Sequence, residues 1–135
     1  TENPFRLEGN AGVLLEGHII DLDEQWHLAL FRFDGGQLWL RRDNRLKPGD
    51  RVRVQVLARD ISLALTENSD QSIQNLVPAT INRVDPDVAP GISLVRLLAG
   101  PTPFLSRLTT RSVAQLGLEP GRQVWMQIKS VALVD

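Results

Sequence analysis

Two stretches of this chain, far apart in sequence, spell the same turn and then the same strand. Leu46-Lys47-Pro48-Gly49 leads into Val52, Val54 and Val56, and Leu118-Glu119-Pro120-Gly121 leads into Val124, Met126 and Ile128. Pro-Gly sets a tight turn in each copy. The apolar residues then alternate with polar ones, Gln55 matching Gln127, and a period of two places them on one face of a strand. Downstream, Arg59-Asp60-Ile61-Ser62-Leu63 lines up with Lys129-Ser130-Val131-Ala132-Leu133 after a slip of two residues. A chain that repeats turn and strand in this way is expected to build two related β lobes. The polar stretch from Thr66 to Gln71 divides them, giving a divergent first lobe over residues 1–66 and a second over 67–135.

The remaining pattern agrees with an all-β class. Leu28, Leu30, Phe31 and Phe33 lie before Asp34-Gly35-Gly36, with Leu38 and Leu40 after it, a hairpin signal. Strands are expected at Leu76–Val84, Ile92–Leu98, Phe104–Leu108 and Val124–Ile128, separated by Asp85-Pro86-Asp87, Gly100-Pro101 and Glu119-Pro120-Gly121. Turn signals at such short intervals point to small sandwiches or barrels. One stretch reads as helix: Thr109 to Leu116, opened by hydroxyl residues that can cap free N–H groups and closed by Gly117.

Several function classes fall away. Lys plus Arg number 15 against 16 acids, a net charge of −1, which lacks the basic excess of a general nucleic-acid or anionic-membrane binder. With no cysteine, thiolate metal sites, disulfides and Cys nucleophiles are excluded. No apolar run approaches the roughly 20 residues of a membrane helix, so a soluble domain is expected. The opening Thr1-Glu2-Asn3-Pro4-Phe5 has neither an initiator Met nor a signal pattern, and reads as the start of a segment from a longer protein. No G-x-x-x-x-G-K-[ST] loop is present. His18 and His27 stand in apolar surroundings without a partner at ligand spacing, and read as packed or partly exposed. Trp26, Trp39 and Trp125 lack an interleaved basic stripe, so they read as core or interface packing rather than a base-stacking platform.

What remains is hydroxyl-rich and sparsely basic. Ser72 precedes a strand, Thr109 and Ser112 open the helix, and Lys129-Ser130 ends a strand. Neutral hydroxyl donors with one lysine suit a small, multi-oxygen dianion better than a polymer. Helix capping accounts for Thr109 and Ser112 equally, and Lys129 for an ordinary surface residue.

Three motifs sharpen this reading. Ser72-Ile73-Gln74-Asn75-Leu76 resembles the S-x-x-N-x-L/I opening of the Mop, or TOBE, domain, with Leu76 one place early. Leu108-Thr109-Thr110-Arg111-Ser112-Val113 with Leu116-Gly117-Leu118 resembles its L-T-x-x-S-V helix. Gly121, Val124 and Ile128-Lys129-Ser130-Val131 resemble its closing G-x-x-V-x-x-x-I-K-S-V pattern. The upstream Arg51-Val52-Arg53-Val54 and Ala58–Leu65 are similar to the segment preceding that domain in ATP-binding subunits of molybdate ABC transporters. The whole chain resembles the C-terminal regulatory region of such a subunit.

The resemblance implies two tandem five-stranded barrels of the oligonucleotide-binding (OB) type and a site for molybdate or tungstate at barrel contacts. Carried over position by position, Ser72, Thr109, Ser112, Lys129 and Ser130 are its oxyanion contacts. The family commonly has Arg where this chain has Gln74, which keeps two N–H donors but loses the charge and the guanidinium fork. The resemblance further implies a homodimer, a membrane permease as partner of the parent subunit, no nucleic acid, and a place on the cytoplasmic face of the membrane. No cofactor is expected here, ATP and Mg belonging to the parent's nucleotide-binding domain, and the chain itself is expected not to be an enzyme. Alternatives from other classes are a purely structural dimerisation module, a free-standing molybdate-binding protein, and the ligand domain of a molybdate-responsive transcription factor.

Overall fold

The computed structural model describes residues 11–134. Ten strands and one helix follow in order: β1 (Gly12–Asp23), β2 (Leu28–Phe33), β3 (Gly36–Arg41), β4 (Arg51–Leu57), a 3-10 turn (Ala58–Asp60), β5 (Ile61–Ala64), β6 (Asn75–Pro86), β7 (Ile92–Ala99), β8 (Thr102–Thr109), α1 (Thr110–Leu116), β9 (Gln123–Ile128) and β10 (Ala132–Val134). They form two five-stranded antiparallel sheets, β10-β4-β1-β2-β3 and β5-β9-β6-β7-β8.

The duplication read from the sequence is written into the hydrogen bonds. Gly49 N–H donates to the Ile19 carbonyl at 2.7 Å and Ile19 N–H to that of Asp50 at 2.9 Å. In the second copy Gly121 N–H donates to Ile81 at 2.8 Å and Ile81 N–H to Arg122 at 2.9 Å. Each turn thus plugs into the long first strand of its own lobe, beside a register shift at Ile19/Asp21 or Ile81/Arg83. Leu46 and Leu118, the leucines of the two turns, are both buried.

The sheets do not divide at residue 66. β5, from the first half, pairs with β9, and β10, from the second half, pairs with β4. Gln55 faces Ala132 across the β4–β10 pair, as Gln127 faces Ser62 across β9–β5. The last strand of each repeat is therefore exchanged. The two-residue slip has a physical form as well: the first repeat coils into the 3-10 turn Ala58–Asp60 before its exchanged strand, whereas Lys129–Val131 has no helical turn. One core runs through both sheets, including Val13, Phe31, Leu38, Val54, Val77, Leu97, Phe104 and Met126. Phe33 and Phe104 meet edge to face across the lobes with ring centroids 5.6 Å apart.

The two hairpin tips also abut. Gly35 has φ +130°, and a Cβ there would lie 1.9 Å from the Ala99 carbonyl oxygen, so only glycine fits the turn against the other lobe. Thr102 Oγ1 donates to the Asp34 carbonyl at this junction.

Candidate functional site

Helix α1 sits on a platform at the end of β8. Thr109, with extended φ −68° and ψ 143°, is its N-cap: Oγ1 accepts from Ser112 N–H at 3.1 Å and donates to Ser112 Oγ at 2.9 Å. The next residue is tied to the β6–β7 turn, Thr110 N–H donating to the Gly91 carbonyl at 2.8 Å and its hydroxyl meeting that of buried Ser93 at 2.9 Å. Arg107 Nε donates to Asp87 Oδ2 at 2.9 Å, joining β8 to the same turn. That bond, with the Val88 N–H, holds the Asp87 carboxyl below its usual range. At the far end Gly117 takes the left-handed conformation, φ 64°, and Leu118 N–H closes on the Val113 carbonyl at 3.0 Å. The helix begins and stops where the sequence predicts.

The structure thus joins Thr109 and Ser112 directly. The other four candidates lie elsewhere along the fold. Lys129 and Ser130 are exposed in the link from β9 to β10, with Lys129 N–H donating to the Asp60 carbonyl at 2.8 Å. The Lys129 ammonium makes no ion pair among the described residues. Ser72 is exposed in a bend, and Gln74, exposed just before β6, borders a cleft of about 500 Å³ with Asp23, Trp26, Leu28 and Trp39. No hydrogen bond among the described residues links Ser72 or Gln74 to the Thr109–Ser112 pair.

Both histidines and one tryptophan sit in more open places than expected. His18 is exposed on β1, facing Arg32 of β2 and Arg51 of β4, not in apolar surroundings. His27 is exposed in the β1–β2 turn with φ 55°. Trp26 is 67% exposed in the same turn, so it does not pack in this chain's core. Among the described residues no group of His, Asp and Glu could hold a metal ion, and no helix is long and apolar enough to cross a membrane.

Sequence reasoning missed the supports of these residues: the Asp87–Arg107 bridge, the Ser93–Thr110 contact, and Asn75, which it quoted inside a motif and assigned no part. Only Asn75 had a visible signal, its fixed place after Ser72 and Gln74.

Residues 71–134 match the TOBE domain family. The chain is 47% identical over 131 residues to the molybdenum import ATP-binding protein ModC of Thiobacillus denitrificans, covering 97% of this chain and 36% of that protein. It is 43% identical over 132 residues to ModC of Methylococcus capsulatus, covering 98% of this chain and 37% of that protein. In architecture it superposes on the cytoplasmic molybdate-binding protein ModG, solved with molybdate bound, with a TM-score of 0.75 and 24% identity over 90% of this chain and 95% of ModG. Over residues 71–134 the chain is similar to the TOBE domain family, and it spans a little more than a third of the length of the molybdenum import ATP-binding proteins that it matches.

Proposed function

We propose that this chain is the oxyanion-sensing regulatory region of a molybdenum import ATPase, binding molybdate or tungstate and pairing with a second copy. The observation that carries the reading is the match of almost the whole chain, both lobes included, to proteins named for molybdenum import. The residues suit the ligand: Thr109 and Ser112 hold paired hydroxyls at the start of α1, and Ser72, Lys129 and Ser130 stand exposed, with Lys129 unpaired among the described residues. A tetrahedral dianion needs donors converging from several segments. A larger ion is selected over sulfate when a smaller one leaves donors unmet, at roughly 1–3 kcal/mol each.

In this reading the site is completed at a contact between barrels, where the separate segments meet. ATP binding belongs to the remainder of the parent protein, which works with a membrane permease from the cytoplasmic side, and molybdate binding favours a state that slows import. A second copy has a face to use. The outer positions Pro78, Thr80, Leu98, Gln123 and Trp125 of the second sheet carry no charge, while the corresponding positions of the first sheet are Glu16, His18, Arg32, Arg51 and Arg53.

Titration calorimetry and thermal shift with molybdate, against sulfate as control, test the reading. Heat and a raised melting temperature with molybdate alone support it. No response to either anion leaves a structural module whose hydroxyls only cap α1.

A further inference from the structure

Asn75 is the motif residue that the site has not used. It opens β6, and its carboxamide reaches the outer edge of β3. Oδ1 accepts from Trp39 N–H at 2.8 Å and Nδ2 donates to the Trp39 carbonyl at 2.9 Å. β3 ends its sheet, so one side chain supplies both hydrogen bonds that another strand would have made at Trp39.

The duplication makes this junction twice, and the other version is the control. Trp39 and Leu105 lie at the same place in their hairpins, counted from the pairs Phe33–Gly36 and Ala99–Thr102. Against Leu105 the contacts are apolar: Ala11, just before β1, and Ala58, just after β4. Against Trp39 the start of the second repeat is a bidentate amide. Hydrogen bonds on partly buried groups give modest net stability but penalise any misplacement, so the polar version secures position more than cohesion.

We propose that Asn75 is the positioning residue of the oxyanion site. By gripping the Trp39 peptide it fixes the segment carrying Ser72 and Gln74, and with it the direction in which their donors are presented. The proposal rests on the functional reading above. Gln74 is the neighbour of Asn75 in sequence, and it borders the same cleft as Trp39, so the grip and the donor lie on one short segment.

The test titrates molybdate into wild type, Asn75→Ala, Asn75→Asp and Leu105→Ala, with thermal melts and NMR amide exchange at Trp39. Asn75→Ala is expected to speed Trp39 exchange about tenfold and to weaken molybdate binding about tenfold. Its Trp39 amide resonance stays still on ligand addition, where that of wild type shifts. Asn75→Asp keeps the acceptor for Trp39 N–H but sets a carboxylate against the Trp39 carbonyl, and is expected to weaken binding at least as much as the alanine change. It also decides the matter if the alanine variant does not fold. Leu105→Ala, the apolar counterpart, is expected to melt lower and bind as wild type does. Wild-type affinity in Asn75→Ala overturns the proposal, as does a loss that tracks melting temperature equally in Asn75→Ala and Leu105→Ala. If wild type itself gives no heat with molybdate, the functional reading fails first and the positioning role falls with it, while faster Trp39 exchange in Asn75→Ala would still mark the contact as structural.

Discussion

Lys129 is fixed through its backbone, by the bond to the Asp60 carbonyl, while its ammonium stands exposed and unpaired among the described residues. Nothing in the fold is lost when that charge goes, so Lys129→Ala isolates the ligand term. Removing a charged donor from a desolvated contact costs about 2–5 kcal/mol, and a neutral hydroxyl such as Ser112 contributes about 0.5–1.5 kcal/mol. Titrations are therefore expected to show Lys129→Ala far weaker than Ser112→Ala, and equal affinities for Lys129→Ala and wild type would remove this lysine from the site. Thr109→Ala also loses the N-cap, about 1 kcal/mol of stability, so Thr109→Asn, which can keep the cap, is the cleaner variant there. Gln74→Arg restores the family's charge, but Asp23 borders the same cleft and competes for it. The single change is expected to tighten binding less than the double change Gln74→Arg, Asp23→Asn. If the single change already gives the full gain, Asp23 does not engage the guanidinium.

At the scale of elements, the β8–α1 platform carries a pH dependence of known sign. Asp87 is held below its ordinary value by the Arg107 guanidinium and then by Val88 N–H. As pH falls below about 3.9, the unfolded carboxylate takes up protons before the folded one does. The unfolded state then binds more protons, and stability drops until the folded carboxyl titrates too. Asp87→Asn is expected to flatten this acid limb in melts between pH 5 and roughly pH 2, with Arg107→Gln doing the same. An unchanged limb in both would mean the bridge does not couple to folding.

Much of this level was legible beforehand, and the reason is physical. Turns, caps and period-two faces are local: Pro48-Gly49, Pro120-Gly121, Thr109 and Gly117 act on neighbours within a few residues. What stayed hidden was decided at long range. Nothing local in Ile61–Ala64 or Ala132–Val134 says which lobe a short strand will join, and both joined the opposite one. The candidate site divides the same way. Thr109 and Ser112 were readable as a pair because one turn of helix holds them, whereas the partner of Asn75 is a backbone edge 36 residues away.

The whole molecule is defined by that exchange. With β5 completing the second sheet and β10 the first, neither half owns a full set of strands, and the shared core runs through Phe33 and Phe104. Residues 1–66 and 67–135 expressed apart are expected to be unfolded or to exchange strands with copies of themselves, and to regain the native β spectrum when mixed. Two halves that each melt cooperatively as monomers would contradict this. Copies of the chain are expected to pair through the second sheet. Burying the outer face of the first sheet would strip water from Arg32, Arg51, Arg53 and Glu16, a cost that imperfect pairing does not recover. The second sheet presents Pro78, Leu98 and Trp125 with Leu65 around a concavity of about 430 Å³, which two copies can bring together without desolvating a charge. A weak, concentration-dependent association is expected. Sedimentation should then show a dimer growing in at high micromolar concentration, lost in Leu98→Glu and retained in Arg32→Glu on the opposite face. A monomer throughout would contradict the pairing, and a dimer broken by Arg32→Glu instead would move the interface away from the second sheet.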